Sequence, residues 1–494
     1  MKSYQRLTYS EILGKLKMLT KEDSHNIFRL EFGEKIYKDF PRTLCKVDHS
    51  ITEEPCQYPI LKMTNWDQPK EKIASLPQVL LMAGIHGNET VGSYAMTELA
   101  EYIQKNHRSF RHMLNSRMII ILPFVNPQGF SHTQREESHV NTAKLWDPNR
   151  DFPYDNTACM NTAVGRFLDQ LFRTHLIVNT FIFHGGTTVL AYPWGNYPHT
   201  KDKAPDNVSF SQVGDYLKGV ASSNTVHPEW IVKPYVTGDM THTVYPVKGG
   251  LEDWAYGGWD RPNVPQCKIT DPTPYSLVNT PYKPAMLKAF IYLVEASDFK
   301  NPKNTAMGTT RDVLKSGGAT DGHISRNIRM SLDFIRVAAP SVGFTGLSYD
   351  PKTKTARVEY QAEGCFVISA TEVKVSSCLE NRLSGGKKLG RVCTWGNVKL
   401  SGTKVGKFGD HTKKVVGEWK VSDPTKPVSL KITLSCDQGW AKPAPGDAIA
   451  PISHLVNIRT QAETKEIRNH GFSLKSYKSV EYNIQDASPA NFST

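Results

Sequence analysis

The sequence has no run of about eighteen uninterrupted apolar residues, the length a membrane-spanning helix needs. Its longest apolar runs, 78–85 and 118–125, are strand-sized. The opening stretch, MKSYQRLTYSEILGKLKML, is charged and helical in pattern and holds no apolar signal-peptide block. Either the protein is not exported, or its leader is absent from this sequence. No CxxC pair occurs, which argues against a zinc ribbon or a thioredoxin-like site. Internal repeats and low-complexity tracts are missing as well. Charge of one sign is scarce: 60 Lys and Arg against 48 Asp and Glu leave +12 over 494 residues. That density is too low for an electrostatic clamp on nucleic acid, and 39% hydrophobic residues exclude a disordered chain.

Eight cysteines are present, at 45, 56, 159, 267, 365, 378, 393 and 436. Four precede residue 340 and four follow it, a distribution that suits two bridges in each half, although scattered buried thiols are the plain alternative. Sequons at Asn207-Val-Ser and Asn491-Phe-Ser are compatible with export. The compartment expected is therefore the secretory or lysosomal lumen or the exterior, with the cytoplasm as the alternative.

The length allows two or three domains. Ile12, Leu13, Leu16 and Leu19 share one face of a short helix for which Ser10 is a good N-cap. From residue 78 short apolar runs alternate with helical stretches: QVLLMAGI (78–85), MIIILPFV (118–125), LIVNTFIF (176–183) and AFIYLV (289–294). Strands apolar on both faces belong in a sheet covered by helices on each side, so this half reads as α/β. ETVGSYAMTELAEYI (89–103) reads as a crossover helix, and 322–339 as the closing helix. Beyond Pro340 strict alternation takes over, in ARVEYQ (356–361), VSLKITLS (428–435) and VEYNIQ (480–485). This half reads as a small all-β sandwich. The domains expected are 1–340 and 341–494. The second holds 22 basic and 14 acidic residues, hence +8 of the net charge, most simply as a solvated surface.

In an open α/β sheet ligands bind beyond the carboxyl ends of the strands. The four runs end in His86-Gly-Asn-Glu89, Asn126-Pro-Gln-Gly129, His184-Gly-Gly186 and Glu295. Two histidines and two glutamates thus emerge at one edge. Zinc takes imidazole nitrogen and carboxylate oxygen, and a catalytic site uses three protein ligands and one open position. His86, Glu89 and His184 supply three, and Glu295 remains free to take a proton from water.

The strings GIHGNETVG (84–92), LPFVNPQGF (122–130), DPNRDFP (147–153), FHGG…YPW (183–194), VYPVKGGLEDWAY (244–256) and VEASDFKNP (294–302) occur in one order across the first domain. In this the chain resembles the zinc metallocarboxypeptidases of the A/B and E/N/D type. The resemblance implies a mixed sheet flanked by helices and one zinc per chain, bound by His86, Glu89 and His184. It implies that Asp147 fixes the tautomer of His86 and that Arg135 stabilises the developing oxyanion. Asn149 and Arg150 would hold the substrate's C-terminal carboxylate, Tyr245 would close over it, and Glu295 would be the general base. Glu252, seven residues after Tyr245, would lie at the floor of the side-chain pocket and select Lys or Arg. Gly195 would leave room to reach it. Pro148 and Asp151 depart from the family's DLNR-type string, and 259–284 reads as a surface insertion.

The substrates implied are peptide or protein C-termini, with no nucleic acid and no membrane span; the oligomeric state stays open. The rival readings are a deacylase of the aspartoacylase type and a catalytically silent peptide-binding homologue.

Overall fold

The computed structural model describes residues 2–257 apart from short stretches (38–39, 49, 75, 139–141, 143, 153–157, 176, 205, 222–225, 228–229 and 232). It further describes 268–269, 289–338 without 312 and 315–320, and beyond 340 eight strands with a few turn residues. The expected insertion at 259–284 lies almost entirely outside these residues, as does the sequon at Asn491. The chain forms two compact units, one running from Met1 to Ala338 and one beginning at Ala339.

The first unit is built on an eight-stranded mixed sheet. Its strands are β1 (Phe28–Phe32), β2 (Pro59–Met63), β3 (Gln78–Ala83), β4 (Met118–Leu122), β5 (Ile177–His184), β6 (Thr187–Tyr192), β7 (Val236–Asp239) and β8 (Phe290–Ser297). Their spatial order is β1-β2-β4-β3-β5-β8-β6-β7. The four central strands, β4, β3, β5 and β8, run parallel. These are the four continuous apolar runs of the sequence, and nearly every residue in them is buried. Parallel strands need covered faces, and helices flank the sheet: α1 (Tyr9–Lys21), α2 (Val91–Lys105), α3 (Ala163–Thr174), α4 (Asn207–Ala221), α5 (Leu251–Gly257) and α6 (His323–Val337).

Aromatic packing locks helix to sheet. Phe181 of β5 stacks on Phe334 of α6 with ring centroids 3.8 Å apart, and Phe290 of β8 stacks on Phe210 of α4 at 4.2 Å. Tyr292 meets Phe181, Tyr192, Phe210 and Phe334 edge-on. Each such pair contributes about 0.5–1.5 kcal/mol beyond its area.

The first helix starts at Tyr9, and its cap is Thr8, not Ser10. Glu11 stands three residues after Thr8 and its carboxylate accepts from the Thr8 amide, completing a reciprocal capping box. Leu13, three residues after Ser10, cannot do this. Ahead of this helix the N-terminal segment straps onto a distant stretch. Ser3 bridges Thr309, the Tyr4 amide donates to the Gly308 carbonyl, and Arg6 donates to the carbonyls of Asn301 and Pro302.

A disulfide joins Cys45 and Cys56 across a short hairpin. Cross-links of this size add about 2–4 kcal/mol. The hairpin docks on the helical turn Pro127–His132 through the Lys46 amide on Ser131 and a hydrogen bond between His132 Nε2 and Glu53 at 2.7 Å. Cys267 and Cys365 lie outside the described residues. The sequon residue Asn207 opens α4 with a partly buried side chain, and Ser209 is buried, which leaves little room for a glycan.

Two buried carboxylates fasten the loop 131–156 to the N-terminus of α3. Asp151 accepts four hydrogen bonds, from the amides and side chains of Asn161 and Thr162. Glu137 meets the Tyr58 hydroxyl and the Val164 amide, both at 3.1 Å. They satisfy free amides at the positive end of the helix. Burial nevertheless pushes Asp151 up to about 6 and Glu137 up to about 8.

In the second unit the described strands are β9 (Ser341–Asp350), β10 (Thr355–Glu363), β11 (Val367–Arg382), β12 (Lys388–Asn397), β13 (Lys399–Ser401), β14 (Lys414–Lys420), β15 (Val428–Asp437) and β16 (Val480–Ala487). They form two four-stranded antiparallel sheets, ordered β9-β10-β14-β13 and β12-β11-β15-β16.

The raised Glu137 value carries a pH signature. The folded state binds the Glu137 proton more tightly than the unfolded chain, so its contribution to stability falls as pH rises from about 4.5 towards 8. Glu137→Gln imitates the protonated acid. Urea unfolding across pH 5–8 should therefore show wild type losing stability relative to Glu137→Gln as pH rises. Glu137→Ala should cost about 1–3 kcal/mol by stranding the Val164 amide. Parallel pH profiles of wild type and Glu137→Gln would contradict the assignment.

Candidate active site

Backbone geometry at the exit of β3 comes first. Gly84 adopts φ +63, and a side chain on Gly87 would come within 1.9 Å of the Gly129 carbonyl carbon. Only glycine lets the 84–89 turn lie this close to the turn that starts at Asn126. Asn126 caps that turn through the Gly129 amide at 2.7 Å and donates to the Ile85 carbonyl. The turn swings His86 and Glu89 over the sheet edge, and α2 follows from Val91, with the Thr90 amide ahead of it donating to the Lys300 carbonyl.

His184 is the last residue of β5, and Glu295 stands opposite it in register on β8. Strand order thus places β3, β5 and β8 side by side, with His86, His184 and Glu295 at their carboxyl ends. Three donor atoms converge. His86 Nδ1 lies 3.0 Å from Glu89 Oε2, His184 Nδ1 lies 3.0 Å from the same oxygen, and the two Nδ1 atoms are 3.1 Å apart. All three residues are buried. At most one proton can sit between two ring nitrogens, so hydrogen bonding alone cannot satisfy this triangle. Among the described residues it is the one cluster of three or more His, Cys, Asp or Glu able to hold a metal ion.

The tautomer of His86 follows from its neighbours. Arg135 Nη1, which can only donate, faces His86 Nδ1 at 3.1 Å, so that nitrogen is an acceptor. The ring proton belongs on Nε2, which meets Asp147 Oδ1 at 3.0 Å. Asp147 also accepts from Arg135 Nε and Nη2 through Oδ2 and from the Asn149 amide through Oδ1. Burial opposes its ionisation, yet the hydrogen bond from His86 and the charges of Arg135 and Arg150 hold its carboxyl well below the usual range. One carboxylate therefore orients a candidate ligand, a cation and the turn Pro148–Arg150.

Glu295 is different. Burial first, with help from the Glu89 charge, pushes it up to about 7 against the pull of His184, Lys300 and Arg135. Its Oε2 has no hydrogen-bond partner among the described residues. A carboxylate that takes and returns a proton near neutral pH fits general base work.

Asn149 is buried, accepts from the Leu251 amide at 2.9 Å and donates to Glu252 Oε2 at 3.4 Å. Arg150 donates to the Asn149 carbonyl. Tyr245 is half exposed. Glu252 does not turn outward to the surface; it is fully buried, and its Oε1 has no partner among the described residues. Asp253 is buried too and accepts from the Gly195 amide and from Asn196. The space beside Gly195 is not open as expected. Met240 fills it, so that a side chain on Gly195 would meet Met240 Cγ at 2.8 Å. Met240 comes from a separate element after β7, and no local signal announces it.

Lys300 has no role in the sequence reading although it stands in the VEASDFKNP string. Its Nζ lies 3.1 Å from Glu89 Oε1.

Asp147→Ala should loosen both His86 and Arg135. Titration with a divalent ion is expected to show affinity reduced about 10–100-fold, the usual cost of losing a carboxylate behind a ligating histidine. Unchanged affinity would remove Asp147 from the site.

The sequence profile of the zinc carboxypeptidases matches residues 38–273. Over 212 residues the chain is 26% identical to carboxypeptidase M of Mus musculus, across 38% of this chain and 46% of that protein. It is 25% identical over 358 residues to carboxypeptidase D of Rattus norvegicus, across 65% of this chain and 25% of that protein. The alignments thus span less than half of either relative. Among solved structures, carboxypeptidase A from Helicoverpa armigera aligns at 16% identity with a TM-score of 0.44, over 67% of this chain and 71% of that one. The profile match and the two curated relatives agree: residues 38–273 resemble a zinc carboxypeptidase domain.

Proposed function

We propose that the chain is a zinc-dependent exopeptidase that hydrolyses the C-terminal bond of peptides or proteins and prefers Lys or Arg at that end. The observation that carries this reading is the donor triangle of His86, Glu89 and His184, with edges of 3.0, 3.0 and 3.1 Å. Tetrahedral zinc with bonds of 2.0–2.1 Å keeps its ligands about 3.3 Å apart, so the residues fit the ion with little movement. Zinc held there supplies Lewis acidity and makes water a nucleophile near neutral pH.

The chain's own groups do the rest. Glu295 takes a proton from water and returns it to the leaving amine. Arg135 aims its guanidinium at the developing oxyanion. Asn149 and Arg150 bind the free carboxylate, a task suited to a planar, two-pronged cation beside an amide. Tyr245, half exposed, covers the bound end. A buried carboxylate with an open oxygen is costly until a cation reaches it, which supports Glu252 as the acceptor of a Lys or Arg side chain. The hydrogen bond from Asn149 to Glu252 ties the carboxylate anchor to the pocket floor.

Residues 1–340 form the catalytic domain in this reading, and 341–494 an accessory β-sandwich. The Cys45–Cys56 disulfide supports an oxidising compartment.

Glu295→Gln should keep one zinc per chain by elemental analysis while turnover of a blocked dipeptide falls at least about 10²–10⁴-fold. Loss of zinc in that variant, with Glu89→Gln still loaded, would reverse the roles of the two glutamates. Specificity is tested on paired substrates ending in Arg or Phe. Wild type should release Arg faster, and Glu252→Gln should narrow the preference by about 2–5 kcal/mol in relative kcat/KM. Faster release of Phe by wild type would refute the basic pocket, and hydrolysis of acyl-amino acids in place of peptides would favour the deacylase.

A further inference from the structure

The two oxygens of Glu89 have different surroundings. Oε2 faces both ring nitrogens and accepts from the Gly185 amide at 3.2 Å. Oε1 faces away from His184 towards two cations, Lys300 Nζ at 3.1 Å and Arg135 Nη1 at 3.3 Å. Arg135 is divided between Asp147, His86 and Glu89, and its contact with Glu89 is the longest of these. Lys300 makes its ion pair with Glu89 alone among the described carboxylates.

The fold prepares Lys300 for this position. Its backbone is pinned beside the ligand, because the Thr90 amide donates to the Lys300 carbonyl at 3.1 Å and the Thr90 hydroxyl meets Asn301 Oδ1 at 3.3 Å. Behind it, Arg6 holds the carbonyls of Asn301 and Pro302. Its side-chain stem runs along Gly185 and Gly186, directly after His184. A side chain on Gly185 would reach van der Waals contact with the Lys300 backbone, and one on Gly186 would touch the Lys300 stem. With 42% of its side chain exposed, Lys300 enters from the solvent side and ends on a carboxylate that is 3% exposed.

We infer that Lys300 is a positioning residue of the metal centre: it holds Glu89 by the outer oxygen, Oε1, and keeps Oε2 turned towards the ring nitrogens of His86 and His184. This rests on the zinc reading of the triad. Two effects oppose each other. A cation near a cation weakens metal binding by Coulomb repulsion, but the half-exposed ammonium is screened by water. Loss of a partner that orients a ligand typically weakens binding about 10–100-fold. The sign of the change on removing Lys300 therefore separates positioning from charge.

The full chain, stripped of metal, is titrated with zinc in competition with a chromophoric chelator. Wild type should bind one zinc, Lys300→Met should bind it about 10–100-fold more weakly, and Lys300→Arg should recover most of the loss. In the cobalt-loaded proteins, the visible absorption of Lys300→Met should differ from that of wild type, because Glu89 loses its fixed orientation. If Lys300→Met fails to fold, Lys300→Gln takes its place. Zinc binding in Lys300→Met or Lys300→Gln as tight as wild type, or tighter, overturns the inference. Wild type that binds no zinc overturns the metal reading itself.

Discussion

Three carboxylates, those of Glu89, Asp147 and Glu295, are drawn into one largely desolvated sheet edge, and the site depends on how their charge is balanced. Two imidazoles, Arg135 and Lys300 surround them. The balance is uneven by design of the contacts. Glu89 is held ionised by its hydrogen bonds to His184 and His86, and Asp147 by His86, Arg135 and Arg150, whereas burial and the Glu89 charge leave Glu295 near neutrality in its proton affinity. Carboxylates with divergent proton affinities in one cleft divide the labour of ligation, orientation and proton transfer.

Such a cluster cannot be placed by side chains alone. The backbone brings it together, through parallel strands that end in step and through two glycines that permit a turn no other residue tolerates. Gly87 lies almost against the Gly129 carbonyl, and Gly84 takes a positive φ. The loop that delivers Arg135 and Asp147 is then tied down at a distance from the chemistry, where Glu137 and Asp151 meet the free amides of α3. Both are buried enough to prefer their protons at mildly acid pH, so the anchor is a hydrogen-bonding device more than an electrostatic one.

Much of this was legible in the sequence because the central strands are apolar on both faces. Runs of that kind mark themselves, and the residues that follow them mark the sheet edge. His86, Glu89, His184 and Glu295 could be brought together by this reasoning before any coordinates. What stayed hidden depended on contacts between residues far apart in the chain. The filling of the space beside Gly195 by Met240 is of this kind. So is the pairing of Lys300 with Glu89. The Thr8 cap is a milder case, since its capping box with Glu11 is written in the sequence but competes with an equally plausible Ser10.

The strap formed by the first residues has a temporal meaning. Ser3, Tyr4 and Arg6 find their partners only at Asn301, Pro302, Gly308 and Thr309, close to three hundred residues later. On a ribosome those partners appear only when most of the first unit has been made, at roughly 5–20 residues per second. The N-terminal residues must therefore wait, unpaired, for tens of seconds. Contacts of such sequence separation are slow to form and close late. The segment that carries Lys300 to Glu89 is the one the strap fastens, so the contact between strap and sheet edge closes only after the chain has grown past residue 309.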